Sequence, residues 1–467
     1  MSTVDGIAED PLAGSSISYA GKSVLVAGAG ISGRSAAAAL LAEGAAVTVT
    51  DSAPERFGGL DAGIGTAVGL TAPPEGTDLV VTSPGWRPTS PLLVAAAERG
   101  IEVIGEVEFA WRLAQRRPNP PAWLAVTGTN GKTTTVTMLT SILRAAGVNA
   151  VACGNVGLPV VAAVRGGYDV LAVELSSFQL HWSSSLRMNA SAVVNVAEDH
   201  LDWHGSIEEY AAAKGRIHAG SGVAIYNADD AWSTKLSEGK DRRVGFTLGE
   251  PGPGQLGVRG DALVDRAFGD GTVLADVADV NPPGPYNVAN ALAAAALARA
   301  HGVPAEAVGK GLRDFTPNPH RSVLVAEHEG VRWIDDSKAT NPHAAAASLA
   351  THDRVVWIAG GLLKGAVVDD LVAGAADRLA GVVLLGADRA VIADALARHA
   401  PEVPVHEVTA GDHGAMTEVV RAARAMARPG DVVLLAPAAA SMDMFEDYPH
   451  RGRVFAEAVK ELTDRAG

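Results

Sequence analysis

A Gly-Lys-Thr step set between an apolar run and a helix-forming stretch is the most chemically demanding segment of this chain. It lies within Thr127-Gly128-Thr129-Asn130-Gly131-Lys132-Thr133-Thr134. Glycines let a backbone curl so that its N–H groups face phosphate oxygens. The following helix contributes the positive end of its dipole, Lys132 a charge for the outer phosphates, and Thr133 a hydroxyl ligand for Mg²⁺. Gly128, Thr129, Asn130, Gly131, Lys132, Thr133 and Thr134 are therefore expected to hold the phosphates of ATP. The spacing departs from the common phosphate loop, whose first glycine would fall at Val126.

A second glycine cluster, Gly28-Ala29-Gly30-Ile31-Ser32-Gly33, follows an apolar run, and Asp51 ends the next one. By spacing alone this is a dinucleotide site, the diphosphate cradle of a UDP-sugar, or a purely structural crossing. Polar groups also gather where further apolar runs end. Glu174 closes one, and Glu198-Asp199-His200-Leu201-Asp202 follows another. Carboxylates at strand ends beside a phosphate loop suit Mg²⁺, which takes oxygen ligands and keeps part of its water. Lys214, in Tyr210-Ala211-Ala212-Ala213-Lys214, reads by spacing alone as a solvated helical lysine. The last third carries Asn318-Pro319-His320-Arg321, Asp335-Asp336-Ser337-Lys338-Ala339-Thr340-Asn341, Gly360-Gly361-Leu362-Leu363-Lys364 and Pro437-Ala438-Ala439-Ala440-Ser441. As bare patterns these are loops at strand ends.

The elements that must position these groups are those of α/β folding. A strand over Lys22–Ala27, a helix over Ser32–Glu43 and a strand over Ala46–Thr50 make a strand–helix–strand unit, and Leu79–Thr82 adds a strand before Ser83-Pro84-Gly85. A second block runs from a strand at Trp123–Thr127 through a helix at Thr133–Ala146 to strands at Val170–Glu174 and Ala192–Val196. Gly249–Gly260 reads as a surface loop and Asn287–His301 as a helix. A third block has strands at Val355–Ala359, Gly381–Leu385 and Val432–Ala436. The expected architecture is α/β with three domains: a Rossmann-like unit over 21–112, a central phosphate-loop ATPase-type unit over 113–316 and a Rossmann-like unit over 317–467. Residues 1–20 read as a disordered extension.

With 467 residues the chain has room for several cores. The formal charge of −15 argues against nucleic acid or an anionic membrane as partner. No apolar run is long enough to span a bilayer, and the acidic N-terminal residues do not resemble a signal peptide. The single cysteine, Cys153, reads as a small buried apolar residue and gives no sign of an oxidising compartment. The cytoplasm is the expected location.

Together, Thr127–Thr134, Glu174–Leu180, Glu198–Asp202, Asp336–Asn341 and Ser441–Phe445 resemble the Mur ligase family of peptidoglycan synthesis, over essentially the whole chain after residue 20. The run Asp336–Asn341 resembles its D-glutamate-adding branch. The resemblance implies an ATP-dependent ligase that joins D-glutamate to UDP-N-acetylmuramoyl-L-alanine through an acyl phosphate, with Mg²⁺ in two sites and no nucleic-acid or membrane partner, acting as a monomer. It implies UDP contacts at Gly30, Ser32, Gly33, Asp51, Ser83 and Gly85, with Asn155 in the acceptor or phosphate region. Asn287 and Asn290 would read adenine, and Arg321 and Asp336 would hold phosphates and ribose. Metal binding would fall to Thr133, Glu174, His200 and a carbamylated Lys214. Lys132, His200, Lys214 and Lys338 would serve catalysis, and Thr340, Lys364, Ser441 and Tyr448 would clamp D-glutamate. The chain departs from the family pattern at Tyr286, at Leu362-Leu363 and at Ala438–Ala440.

Overall fold

The structure is a computed structural model and describes residues 18–409 and 414–464. Three sheets follow one another along the chain. The first is wholly parallel, in the order Gly65–Val68, Ala46–Asp51, Ser23–Ala27, Leu79–Thr82, Glu102–Gly105. The order reverses direction beside Ser23–Ala27. That is the switch point where open α/β sheets receive ligands, and it holds Gly28–Gly33 and Ser83. The central strands are near-continuous apolar runs because helices cover both faces.

The second sheet places Ala122–Thr127 between Ala190–Val193 and Val170–Glu174, all parallel. The phosphate loop therefore leaves a central strand, with Glu174 ending one neighbour and Val194-Asn195 following the other. Helix Lys132–Ala145 packs against helices Pro285–Ala300 and Ala305–Arg313. The Ala-rich face of Pro285–Ala300, buried from Asn290 to Ala298, lets it lie close to the sheet. The third sheet sets Val331–Asp335, Val432–Leu435 and Val355–Gly360 side by side and parallel. Its outer strand Val323–His328 runs antiparallel.

Two sequence expectations change here. Gly249–Gly260 is not all loop: Gln255–Arg259 is a strand paired antiparallel with Ala262–Asp265. Leu256 is buried and Arg259 exposed, and the glycines in and around the strand carry no side chain to mark a strand period. The strand expected at Ala192–Val196 spans Ala190–Val193, because its pairing with Leu124–Thr127 ends there and Asn195 turns back toward the phosphate loop.

Residues 112 and 113, where the sequence reading divides the first two units, lie inside helix Glu106–Gln115. That helix is pinned to the second unit. Glu106 Oε1 accepts from Val161 N at 2.7 Å, and Glu108 accepts from the Ser184 and Ser185 amides at 2.9 and 3.0 Å. Most of the span read as an extension, 1–20, lies outside the described residues. Tyr19 is buried, edge-on to Phe109 with ring centroids 5.1 Å apart. Cys153 is buried, as expected, and burial pushes its thiol pKa up.

Candidate functional site

The phosphate loop is built by close contacts that glycine alone allows. Gly131 has φ 82° at the start of helix Lys132–Ala145, and a Cβ there would lie 2.3 Å from Asn290 Oδ1. At Gly128 a Cβ would lie 2.5 Å from Val194 Cγ2. Asn195 clamps the loop from the neighbouring strand. Its Oδ1 accepts from Thr129 N and Asn130 N at 3.1 and 2.9 Å, and its Nδ2 donates to Asn130 O at 3.1 Å. Lys132 Nζ folds back to donate to Gly128 O and Thr129 O, each at 2.8 Å. Burial lowers its pKa, against the pull of Glu174 and Asp199.

Glu174 is 2% exposed. Its Oε1 accepts from Asn155 Nδ2 at 2.9 Å, and its Oε2 is buried without a hydrogen-bond partner among the described residues. An orphaned buried carboxylate oxygen is costly unless a ligand or cation meets it. Lys214 is not the solvated lysine that spacing alone suggested. It projects from helix Ile207–Gly215, is 1% exposed, donates to Gly128 O at 2.8 Å and lies 4.2 Å from the Tyr210 ring centroid. Burial, then the nearby Lys132, drive its pKa well below the ordinary lysine value. His200 sits at φ 54° ahead of the short helix Leu201–His204, edge-on to Phe178 and 3.8 Å from Asp199 Oδ1. Burial lowers its pKa. Among the described residues no three His, Cys, Asp or Glu side chains converge into a metal site.

Two adjoining cavities meet at these groups. The larger, about 700 Å³, is lined by Thr129–Thr134 and Glu174, and by Asn287, Asn290, Arg321, Asp336 and Tyr448. The smaller, about 480 Å³, is lined by Ser177, His200, Lys214, Thr340 and Lys364. Lys132, Asn155 and Lys338 line both. The four expected metal ligands are thus divided, Thr133 and Glu174 on one side and His200 and Lys214 on the other. Asn290 is held by Thr135 Oγ1 at 3.3 Å and by Asn287 Oδ1 at 3.3 Å, so it buttresses the loop. Burial pushes the Asp336 carboxyl up to about 6. Burial, with Arg321 and Lys132 adding to it, pushes Lys338 down to about 8, and its Nζ lies 4.8 Å from the Tyr448 ring centroid.

The four residues expected to clamp the amino acid do not all line one cavity. Thr340 and Lys364 share the smaller cavity, Tyr448 lines the larger, and the buried Ser441 lines neither. Gly30, Ser32, Gly33, Asp51, Ser83 and Gly85 line neither cavity and cluster at the switch point of the first sheet. There Asp51 Oδ2 accepts from Ala29 N at 2.9 Å, and Ser83 Oγ is buried without a hydrogen-bond partner among the described residues. Burial raises the Asp51 pKa, but the Ala29 and Ala53 amides and Arg56 outweigh it and hold the carboxyl below its ordinary value.

Sequence reasoning did not single out Asn195, Tyr210 or His343. Asn195, right after a strand that neighbours the phosphate loop, carried a usable signal. His343 reaches Asn130 from another sheet and carried none.

Three family models match in series: a Mur ligase MurD-like N-terminal domain over 22–105, a Mur ligase middle domain over 126–298, and a Mur ligase glutamate ligase domain over 320–439. The UDP-N-acetylmuramoylalanine–D-glutamate ligase of Streptomyces coelicolor is 57% identical, covering 95% of this chain and 99% of its own. Its counterpart from Thermobifida fusca is 56% identical over 95% of this chain and 99% of its own. Among solved structures, a UDP-N-acetylmuramate–alanine ligase from Thermotoga maritima superposes with a TM-score of 0.60 at 20% identity, covering 94% of this chain and 99% of its own. A MurF from Acinetobacter baumannii superposes with a TM-score of 0.61 at 19% identity, covering 95% and 92%. At such identities the structures speak for the three-unit fold, and the near-full-length relatives speak for kinship. The chain belongs to the Mur ligase family.

Proposed function

We propose that this chain joins D-glutamate to the L-alanyl carboxylate of UDP-N-acetylmuramoyl-L-alanine, splitting ATP to ADP and phosphate, in peptidoglycan precursor synthesis. The observation that carries the reading is the shared wall between the two cavities. Lys132 and Lys338 line both, so a phosphate donor on one side and a carboxylate on the other meet between two lysines.

A carboxylate is a poor acyl donor because oxide would have to leave. Its oxygen attacks the γ-phosphorus, the bond to the β-phosphate breaks, and ADP departs. The amine of D-glutamate then attacks the acyl phosphate, forms the C–N bond, expels phosphate and gives up its proton. Both steps bring anions together, so the protein's part is positioning and charge neutralisation. Lys132, held by two loop carbonyls, is placed for the transferred phosphoryl group, and Lys338 for the reacting carboxylate. Arg321, Asp336, Asn287 and Asn290 line the nucleotide cavity, and Thr340 and Lys364 the amino-acid side, with Ser441 and Tyr448 assigned to the same substrate. The first-sheet cluster takes UDP, where Ser83 Oγ awaits a partner.

Mg²⁺ fits these residues, because the unpartnered Glu174 Oε2 and Thr133 offer the oxygen donors it prefers. Bound there, it would neutralise phosphate charge. His200 and Lys214 would hold a second ion. Lys214 fits carbamylation, since burial favours the neutral amine that adds carbon dioxide, and the product is an anionic oxygen ligand. The division at 21–112, 113–316 and 317–467, a cytoplasmic location and a monomeric state belong to the same reading. Among the described residues no helix is long and apolar enough to cross a membrane.

The test is phosphate release from ATP with UDP-N-acetylmuramoyl-L-alanine, offering D-glutamate, L-glutamate, L-lysine and diaminopimelate separately. Turnover with D-glutamate alone is expected. Turnover with another amino acid instead would overturn the assignment of acceptor.

A further inference from the structure

The phosphate loop and the third unit touch through neutral side chains. Asn130 Nδ2 lies 2.9 Å from His343 Nδ1 and 3.4 Å from Asn341 Oδ1. In return Asn341 Nδ2 donates to Asn130 Oδ1 at 3.2 Å and to Asp199 Oδ2 at 3.3 Å. Nearby, Asn318 Nδ2 donates to Thr137 Oγ1 at 2.9 Å. Asn341 also caps helix Pro342–Leu349, its Oδ1 accepting from Ala344 N at 2.8 Å.

Both ends of this network sit on segments that carry reactive groups. Asn130 lies two residues before Lys132, and Asn341 three after Lys338. The segment between Lys338 and Asn341 is tight: Lys338 N donates to His320 O, Ala339 N to Asp336 O and Thr340 N to Lys338 O, at 3.1, 2.9 and 2.8 Å. The position of Asn341 therefore sets the position of Lys338. Docking also brings like charges together, since Lys132 from one unit faces Lys338 and Arg321 from the other. Amides and an imidazole make the contacts to Asn130, and the Asp199 carboxylate accepts from Asn341 beside them.

We infer that Asn341 and His343 are positioning residues that dock the third unit on the phosphate loop through Asn130, and so set Lys338 opposite Lys132. The inference rests on the ligase reading for its kinetics, and on geometry alone for the docking.

Four variants test it: Asn130→Ala, Asn341→Ser, the double Asn130→Ala/Asn341→Ser and His343→Ala. Serine keeps an N-cap oxygen but is too short to reach Asn130. Asn341→Ser should retain the wild-type melting temperature and lose roughly tenfold or more in kcat, with KM for ATP changed less than about threefold. The double variant should be no slower than Asn130→Ala alone. His343→Ala should show a smaller loss of the same kind. Small-angle scattering of the ligand-free protein should give a larger radius of gyration for the double variant than for wild type. Wild-type kcat in Asn341→Ser, losses that multiply in the double variant, or identical scattering would each overturn the docking role. If wild type shows no turnover with any amino acid, the ligase reading fails, and the scattering still decides the docking.

Discussion

Lys214 shows most sharply what a single residue costs and does. Its side-chain nitrogen is buried against a backbone carbonyl and a phenol ring, with no carboxylate in hydrogen-bond contact among the described residues. Its folded pKa lies below the unfolded one. Between those two values the unfolded chain binds more protons, so stability rises with pH through that window, and below it the penalty is fully in place. Lys214→Met should therefore melt higher than wild type at about pH 7, with the gap narrowing toward about pH 10, as thermal scans across that range would read. Lys214→Ala should lose ligation and partly regain it with acetate; unchanged activity would remove the carbamate. At the reaction's other face, Lys132→Ala should lower kcat by roughly 10²-fold or more with the melting temperature held, as expected when one group aimed at developing charge is removed. Lys364→Ala should raise KM for D-glutamate far more than KM for ATP, because Lys364 lines the smaller cavity alone. Steady-state titration of each substrate separates the two effects.

At the scale of elements, glycines decide whether helices can start where the ligand sites need them. In the first unit the helix Ile31–Ala42 packs so tightly that a Cβ at Gly33 would lie 1.9 Å from Gly28 O, whereas at Gly30 it would meet nothing within 4 Å. Gly33→Ala should displace that helix, lower stability by about 2 kcal/mol or more and abolish uridine-nucleotide binding. Gly30→Ala should melt like wild type. Denaturant unfolding and calorimetric titration of the pair would check both. In the third unit the C-terminal helix Tyr448–Asp464 performs a different task. Arg451, 1% exposed, donates to Ser337 Oγ and Ser337 O at 3.0 and 2.9 Å and to Ala439 O at 3.1 Å. It thereby ties together the loops that follow two neighbouring strands. Arg451 stands outside every motif that drew notice in the sequence, because its partners are mostly backbone carbonyls, which leave no trace in residue type.

At the scale of the whole molecule, the second and third sheets turn the carboxyl ends of their central strands toward one cleft, while the first sheet keeps its own switch point apart. A non-hydrolysable ATP analogue with Mg²⁺ should protect the amides of Gly128–Thr134 and of Asp336–Thr340 together in hydrogen exchange, because Thr129–Thr134 of the first segment and Asp336, Lys338 and Ala339 of the second wall the larger cavity. Protection confined to Gly128–Thr134 would place the nucleotide outside the shared cleft.

The phosphate loop, the central strands and the α/β order were legible from residue types, since apolar runs, glycine turns and Gly-Lys-Thr act over a few neighbouring residues. The hairpin at Gln255–Asp265 was not, because glycines interrupt its side-chain pattern and its partner strand had to be known. Glu174 and Asn195 could be suspected at strand ends, but the orphaned oxygen of one and the clamping role of the other depend on which strands became neighbours. Burial reversed the local reading of Lys214. Packing also brought Asn130 to Asn341 and His343 across 211 and 213 residues. Chemistry written within a loop is set by the sequence itself; which loops share a cleft, and which charges lose their water there, is decided when the sheets pack.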